Sequence, residues 1–193
     1  MTMFAVLAES LELLNQVASA VPTDKLDDPT PCADWTVAQV LLHAAGDQHA
    51  WASVVGSSPQ PSYNPFAPPT QLAGTLDELI DPAIAAATAA WARIDTAAES
   101  VPTPLPPVPT LPAELAAAAC ALDAAVHAWD IGVATGQGSP LPPELAAQLI
   151  PAARVTAPPL RGFAYGPAVP EQAGDDATAA LLRYLGRDPN WTA

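Results

Sequence analysis

Five prolines fall within ten consecutive residues, Val101-Pro102-Thr103-Pro104-Leu105-Pro106-Pro107-Val108-Pro109-Thr110, and no helix can pass through them. Each proline lacks the N–H that a helix needs and sets its ring against the preceding turn. Such a stretch favours an extended, polyproline-type connector. Proline punctuates elsewhere too: Val21-Pro22 closes the first apolar window, and several prolines occupy the long connection at residues 57–74. Between these breaks the apolar residues recur every three or four positions. Strictly alternating runs of Val, Ile, Thr and aromatics are absent, so the windows read as helices and no strand is expected.

The first helix is expected over residues 2–20, with Phe4, Leu7, Leu11, Leu14 and Val17 or Ala18 as its apolar stripe. Thr36 and Gln39 make a capping box for the second, flanked by Trp35 and Val40 at the spacing of a hydrophobic staple; it ends near Gly56. Thr75 and Glu78 form another capping box, opening a third helix from Leu76 to about Ala98, with Pro82 placed to kink its start. A fourth starts near Pro112 and runs to Ala134, with Gly136 beyond its end. Two further helices are expected at residues 143–154 and 176–185. Four long helices with one short and two long connections imply an all-α fold: a four-helix bundle with crossover connections, carrying a small C-terminal helical region. Residues 1–138 would form the bundle and residues 139–193 the extension packed on it.

Composition excludes several function classes. The 193 residues carry 20 acidic and 6 basic side chains, a formal net charge of -14. A phosphate backbone is bound chiefly through Lys and Arg, so nucleic acid is not an expected partner. The apolar share is 50%, much of it Ala, and the apolar runs are broken before membrane-spanning length, so no membrane partner is expected. The N-terminal residues lack a basic signal region and lead directly into a helix, which points to a cytoplasmic protein. Cys32 and Cys120 are then expected as free thiols. Monomer and homodimer are both compatible with the sequence.

Against this apolar background, two of the chain's three histidines and one aspartate stand out. Asp123 and His127 are four apart on the fourth helix and project from one face, where they can grip one ion. His43, on the second helix, would join them from a neighbouring element. Imidazole with carboxylate suits zinc first, with nickel or iron as alternatives, and three protein ligands leave coordination positions open for chemistry. Burying these groups without a partner costs several kcal/mol, yet mutual hydrogen bonding would satisfy them as well as a metal. Cys120, Asp123, His127 and Asp130 form one stripe. Asp130 is placed to orient the His127 ring, and Cys120 is read chiefly as a small core residue. Asp47, four beyond His43, shares its face as a further oxygen donor, whereas His49 points elsewhere. Core packing accounts for the five tryptophans, Trp51, Trp91 and Trp129 among them.

Three segments carry a recognisable pattern: Pro29-Thr30-Pro31-Cys32-Ala33-Asp34-Trp35-Thr36-Val37 leading into Leu42-His43; Asp123-Ala124-Ala125-Val126-His127-Ala128-Trp129-Asp130 followed by Ala134-Thr135-Gly136; and the tail Gly162-Phe163-Ala164-Tyr165-Gly166-Pro167 with Leu185-Gly186-Arg187-Asp188-Pro189. Together they make the chain resemble the DinB/YfiT-like metalloproteins, specifically actinobacterial proteins similar to the metal-binding N-terminal domain of mycothiol-dependent maleylpyruvate isomerase. The resemblance implies a four-helix bundle holding a divalent metal at His43, Asp123 and His127. It also implies mycothiol, a low-molecular-weight thiol, as cosubstrate, and a small electrophile as the other partner. The family usually has Glu where this chain has Asp123, so the shorter side chain bears on how well the site holds metal.

The catalytic residues are not fixed by the sequence. Asp47, His49 and an ion-activated water are all conceivable bases. The leading expectation is a metal-dependent thiol S-transferase or isomerase. A non-catalytic metal-binding or sensing module with a degenerate site is the alternative, and an inert helical scaffold is a third.

Overall fold

The computed structural model describes residues 4–32, 34–56 and 58–192. Its elements are α1 (Ala5–Ser19), α2 (Val37–Gly56), α3 (Leu76–Trp91), β1 (Val101–Pro102), β2 (Thr110–Leu111), α4 (Ala113–Ala134), α5 (Pro143–Leu160) and α6 (Ala177–Tyr184), with a 3-10 turn at Thr23–Lys25. The fold is an all-α bundle, as the periodicity implies.

Helix α4 is the axis of the molecule. It packs on α1, α2 and α5, while α2 and α1 also pack on α3, and α6 lies on α5. By length and composition α4 could cross a membrane, but 83% of its most apolar window is buried inside the protein. Burial on every side, not lipid, is why its sequence is apolar all round. Only small residues let neighbours approach this closely: ten alanines of α4 are buried, Ala117, Ala121, Ala124 and Ala128 among them. Where α2 meets α3 the same logic demands glycine, since a Cβ on Gly56 would lie 2.4 Å from that of Ala90.

Helix ends follow local chemistry. The Thr36 hydroxyl accepts from Gln39 N–H at 3.4 Å and the Gln39 side chain accepts from Thr36 N–H at 3.2 Å, so the expected capping box forms. Thr75 and Glu78 form the other. Helix α3 runs through Pro82 from Leu76 but stops at Trp91 rather than near Ala98. The Asp95 carboxylate accepts from Ala97 N–H at 3.0 Å, and this local turn competes with further helix. Conversely, α5 continues past Arg154 to Leu160 despite Pro151, Pro158 and Pro159. Leu149, Ala152, Ala153, Thr156, Ala157 and Leu160 are buried along it, and that packing offsets the lost backbone bonds.

The connector at residues 101–110 differs from expectation in one respect. It folds back as a two-stranded antiparallel pair, Val101 opposite Leu111 and Pro102 opposite Thr110. Thr103 organises the turn, its hydroxyl donating to the Val108 carbonyl and accepting from Leu105 N–H. Two-residue strands are too short to leave an alternating pattern in the sequence.

Candidate metal centre

His43 sits two turns into α2, and the connection at residues 58–74 folds directly over it. Pro65 passes so close to α2 that a Cβ on Gly46 would lie 3.0 Å from the proline ring. The Tyr63 hydroxyl donates to the Leu42 carbonyl at 2.6 Å, pinning the connection there. His43 Nδ1 lies 2.8 Å from the Pro65 carbonyl. A carbonyl can only accept, so Nδ1 carries a proton, and Nε2 faces inward.

Asp123 and His127 lie on the facing stripe of α4. The Asp123 Oδ1 atom is 3.4 Å from His43 Nε2 and 3.4 Å from His127 Nε2. All three atoms lie within 4.8 Å of one another. Residues 80 positions apart in the chain are thus brought together. His127 Nδ1 is 3.0 Å from Asp130 Oδ2, so Asp130 orients this ring and its Nε2 too is directed at Asp123.

Behind Asp130 stands a residue that periodicity could not place in the site. Arg187 donates to Asp130 from Nε at 2.8 Å and from Nη2 at 2.7 Å, both partners being buried. Gly186, at φ +86°, makes the turn that delivers it, and a Cβ there would lie 2.9 Å from the Pro167 carbonyl. The C-terminal region therefore reaches into the centre of the bundle. The hints in the sequence were the scarcity of basic residues, the glycine immediately before Arg187, and the place of that tail in the family pattern.

The electrostatics follow from burial set against these pairings. Burial alone would lower the His127 pKa, but the nearby Asp123 charge and the hydrogen bond to Asp130 outweigh it and hold the ring up to about 9. Burial alone would raise Asp130, yet the Arg187 charge and hydrogen bonds bring it down to about 2. Asp123 is likewise held below the usual carboxylate range: burial acts against this, and the neighbouring imidazoles of His127, then His43, prevail. Asp47, buried beside Asp123, goes the other way: burial first, then the Asp123 charge, push it well above that range. His49 is only partly buried and lies outside the cavity, consistent with its expected orientation.

Two observations bear on whether these side chains suit a metal. Asp123 Oδ2 is buried and accepts no hydrogen bond from a fixed donor. The 3.4 Å separations exceed the ordinary range of an N–H···O bond, about 2.7–3.2 Å. They equal the edge of a tetrahedron whose ligands stand roughly 2.1 Å from its centre. Two imidazole nitrogens and one carboxylate oxygen are a donor set that zinc, nickel and iron accept. The residues fit a divalent ion better than they fit mutual hydrogen bonding.

A second group, Cys32 with His127 and Asp130, also comes within 4.8 Å. It is a poorer candidate, because Arg187 already occupies both Asp130 oxygens and burial, then the Asp130 charge, push the Cys32 thiol up to about 12. Cys120 turns away as well, donating to Gln48 Oε1 at 3.1 Å. Both cysteines are free thiols.

The three candidate groups open on a cavity of about 50 Å³. One wall is polar, with His43, Asp47, Asp123 and His127; the other is apolar, with Phe66, Leu105, Val126 and Leu160. Tyr165 also lines it, its hydroxyl pKa raised chiefly by burial.

Among known proteins, residues 7–132 match the family described as the mycothiol maleylpyruvate isomerase N-terminal domain. The match takes in His43, Asp123 and His127 and stops short of Arg187. Two uncharacterized proteins of Mycobacterium tuberculosis, from strains CDC 1551 / Oshkosh and ATCC 25618 / H37Rv, are each 31% identical over 146 residues, spanning 74% of this chain and 72% of the relative. No solved structure matches the chain.

Proposed function

The chain belongs to the mycothiol maleylpyruvate isomerase N-terminal domain family, and from that membership we propose that it binds a divalent metal, zinc first, through His43, Asp123 and His127, and acts as a mycothiol-dependent S-transferase or isomerase on a small electrophile. The observation that carries the metal reading is the half-buried Asp123 carboxylate, whose Oδ1 is equidistant from two inward-facing imidazole nitrogens and whose buried Oδ2 is unpartnered. A dication held there lowers the pKa of a thiol bound beside it and so makes a nucleophile available at neutral pH.

The protein's own groups have distinct parts. Asp130, fixed by Arg187, and the Pro65 carbonyl set the rotation of the two rings before any ligand arrives, so little ordering remains to be done on binding. Phe66, Leu105 and Val126 keep bulk water from the polar wall, which strengthens each electrostatic interaction inside. Asp47 lines the cavity beside Asp123 with its pKa pushed up by burial, and is the group best placed to pass a proton to or from a reactant.

A non-catalytic metal-binding or sensing module is the second reading. It is favoured by the small volume, about 50 Å³, left beside the polar wall. Turnover of mycothiol with a generic electrophile such as a chlorodinitrobenzene, run with metal-loaded and metal-free protein, separates the two. Metal-dependent conjugation supports the enzyme, and metal binding without it leaves the module.

A further inference from the structure

Most donors that line the cavity are already spent on the protein itself. His43 gives its Nδ1 proton to the Pro65 carbonyl, Nδ1 of His127 is taken by Asp130, and Arg187 commits Nε and Nη2 to the same Asp130. The Thr156 hydroxyl donates to the Ala152 carbonyl at 2.9 Å. Trp51 turns its indole toward Asp47. Tyr165 is the exception. It lines the cavity where the charges of Asp123, Arg187 and Asp47 all act on its hydroxyl, and no group among the described residues forms a hydrogen bond with that hydroxyl. Tyr63, by contrast, gives its hydroxyl to the Leu42 carbonyl, as a covered tyrosine ordinarily finds a partner.

The turn after α5 holds this tyrosine in place. Tyr165 N–H donates to the Leu160 carbonyl at 3.3 Å, the Tyr165 carbonyl accepts from Gly162 N–H at 2.8 Å, and Gly162 closes the turn at φ +80°. Arg161 ties the turn to the C-terminal region, donating to the carbonyls of Gly166 at 2.7 Å and Tyr184 at 2.8 Å. The Tyr165 ring packs against the core, so the hydroxyl is presented by a fixed ring. The same site contains a complementary unspent group: Asp123 Oδ2 is buried and receives no donor. A donor and an acceptor on the wall of one cavity of about 50 Å³ have thus not paired with each other, although each would gain by a partner. One arrangement satisfies both, a cation against Asp123 that carries an anionic atom toward Tyr165.

We infer that the Tyr165 hydroxyl donates to the anionic oxygen or sulfur atom that a divalent ion at His43, Asp123 and His127 takes at its open position, which makes Tyr165 a further ligand-contacting residue of this site. The inference rests on the metal reading above and adds to it a selection among ligands. An anionic oxygen or sulfur keeps a lone pair after binding the ion, and it accepts a charge-assisted O–H bond roughly twice as strong as a neutral one. A neutral nitrogen ligand gives its lone pair to the ion and has none left to accept with. The site should therefore favour oxyanions and thiolates over neutral nitrogen ligands by more than the ion alone would, and the fixed donor needs no reordering when charge arrives.

Two probes of like size test it, acetohydroxamate as the anionic oxygen ligand and imidazole as the neutral nitrogen ligand, each titrated by calorimetry against zinc-loaded parent and Tyr165→Phe whose metal content has been measured. The substitution keeps the ring and its packing and removes only the hydroxyl. It is expected to weaken acetohydroxamate roughly tenfold while imidazole affinity and zinc content stay at the parental level. Equal acetohydroxamate affinity in the two proteins overturns the inference. Equal weakening of both probes overturns it too, because the tyrosine would then merely shape the cavity. A zinc-loaded parent that binds neither probe overturns this inference alone; a parent that retains no metal overturns the metal reading and this one with it.

Discussion

Arg187 grips both carboxylate oxygens of Asp130, 57 residues earlier in the chain, at 2.8 and 2.7 Å in the interior of the protein. The same Asp130 holds the Nδ1 side of His127, so the C-terminal turn and the candidate metal centre are mechanically one unit. Several expected outcomes follow from that chain of contacts.

Removing one end of the pair strands the other. Arg187→Met leaves the buried Asp130 carboxylate with only His127 beside it and should cost about 3–5 kcal/mol of stability, whereas the double change with Asp130→Asn should cost clearly less than the sum. Urea unfolding with a double-mutant cycle measures this. Additive losses would mean that the pair does not act as a unit.

Acid should unfold the protein through the same group. Asp130 is held at about 2, below its unfolded value near 3.9, so its contribution is present above that value and is lost as pH falls toward 2. It is on the order of 2 kcal/mol. The acid limb of the stability curve should flatten in the double variant, and an unchanged limb would assign the acid sensitivity elsewhere.

For His127 the sign is opposite. With metal-free protein its ring titrates near 9, above the unfolded value of about 6.5, so its contribution is full below that value and fades as pH rises through 9. A metal ligand must give up its Nε2 proton, so binding at pH 7 should release protons and the apparent metal affinity should rise with pH up to about 9. Calorimetry in buffers of different ionisation enthalpy reports the release. Heat independent of the buffer would contradict it.

Two glycines separate fold from site. Gly56→Ala drives a Cβ to 2.4 Å from Ala90 at the contact of α2 with α3, and should cost about 1–3 kcal/mol without altering metal content. Gly186→Ala strains a residue at φ +86° and displaces Arg187, so it should lower metal retention as well as stability. Equal metal content in the two variants would break the proposed link between the C-terminal turn and the site.

Local signals made the helices legible, since the capping residues Thr36, Gln39, Thr75 and Glu78 and the apolar stripe of α1 act within a few positions. Asp123 and His127 were legible for the same reason, being four apart on one helix. His43 could be paired with them only by the cost of burying it, and by family resemblance. The parts played by Arg187 and the Pro65 carbonyl were not legible, although the family pattern includes the tail that carries Arg187. Each reaches the site through a turn whose path is set by tertiary packing, and backbone carbonyls leave no trace in residue type. The ends of α3 and α5 were misplaced because a single Asx turn at Asp95 and burial around Pro151 outweigh propensity.

Most direct of all is the metal content of protein purified without chelator or affinity tag, compared between parent and His127→Ala. A bound divalent ion near one equivalent per chain is expected in the parent, with zinc the first candidate, and a fall to background in a variant that remains folded. Absence of metal from the parent, or equal content in the two proteins, would contradict the assignment of His43, Asp123 and His127 as a metal centre.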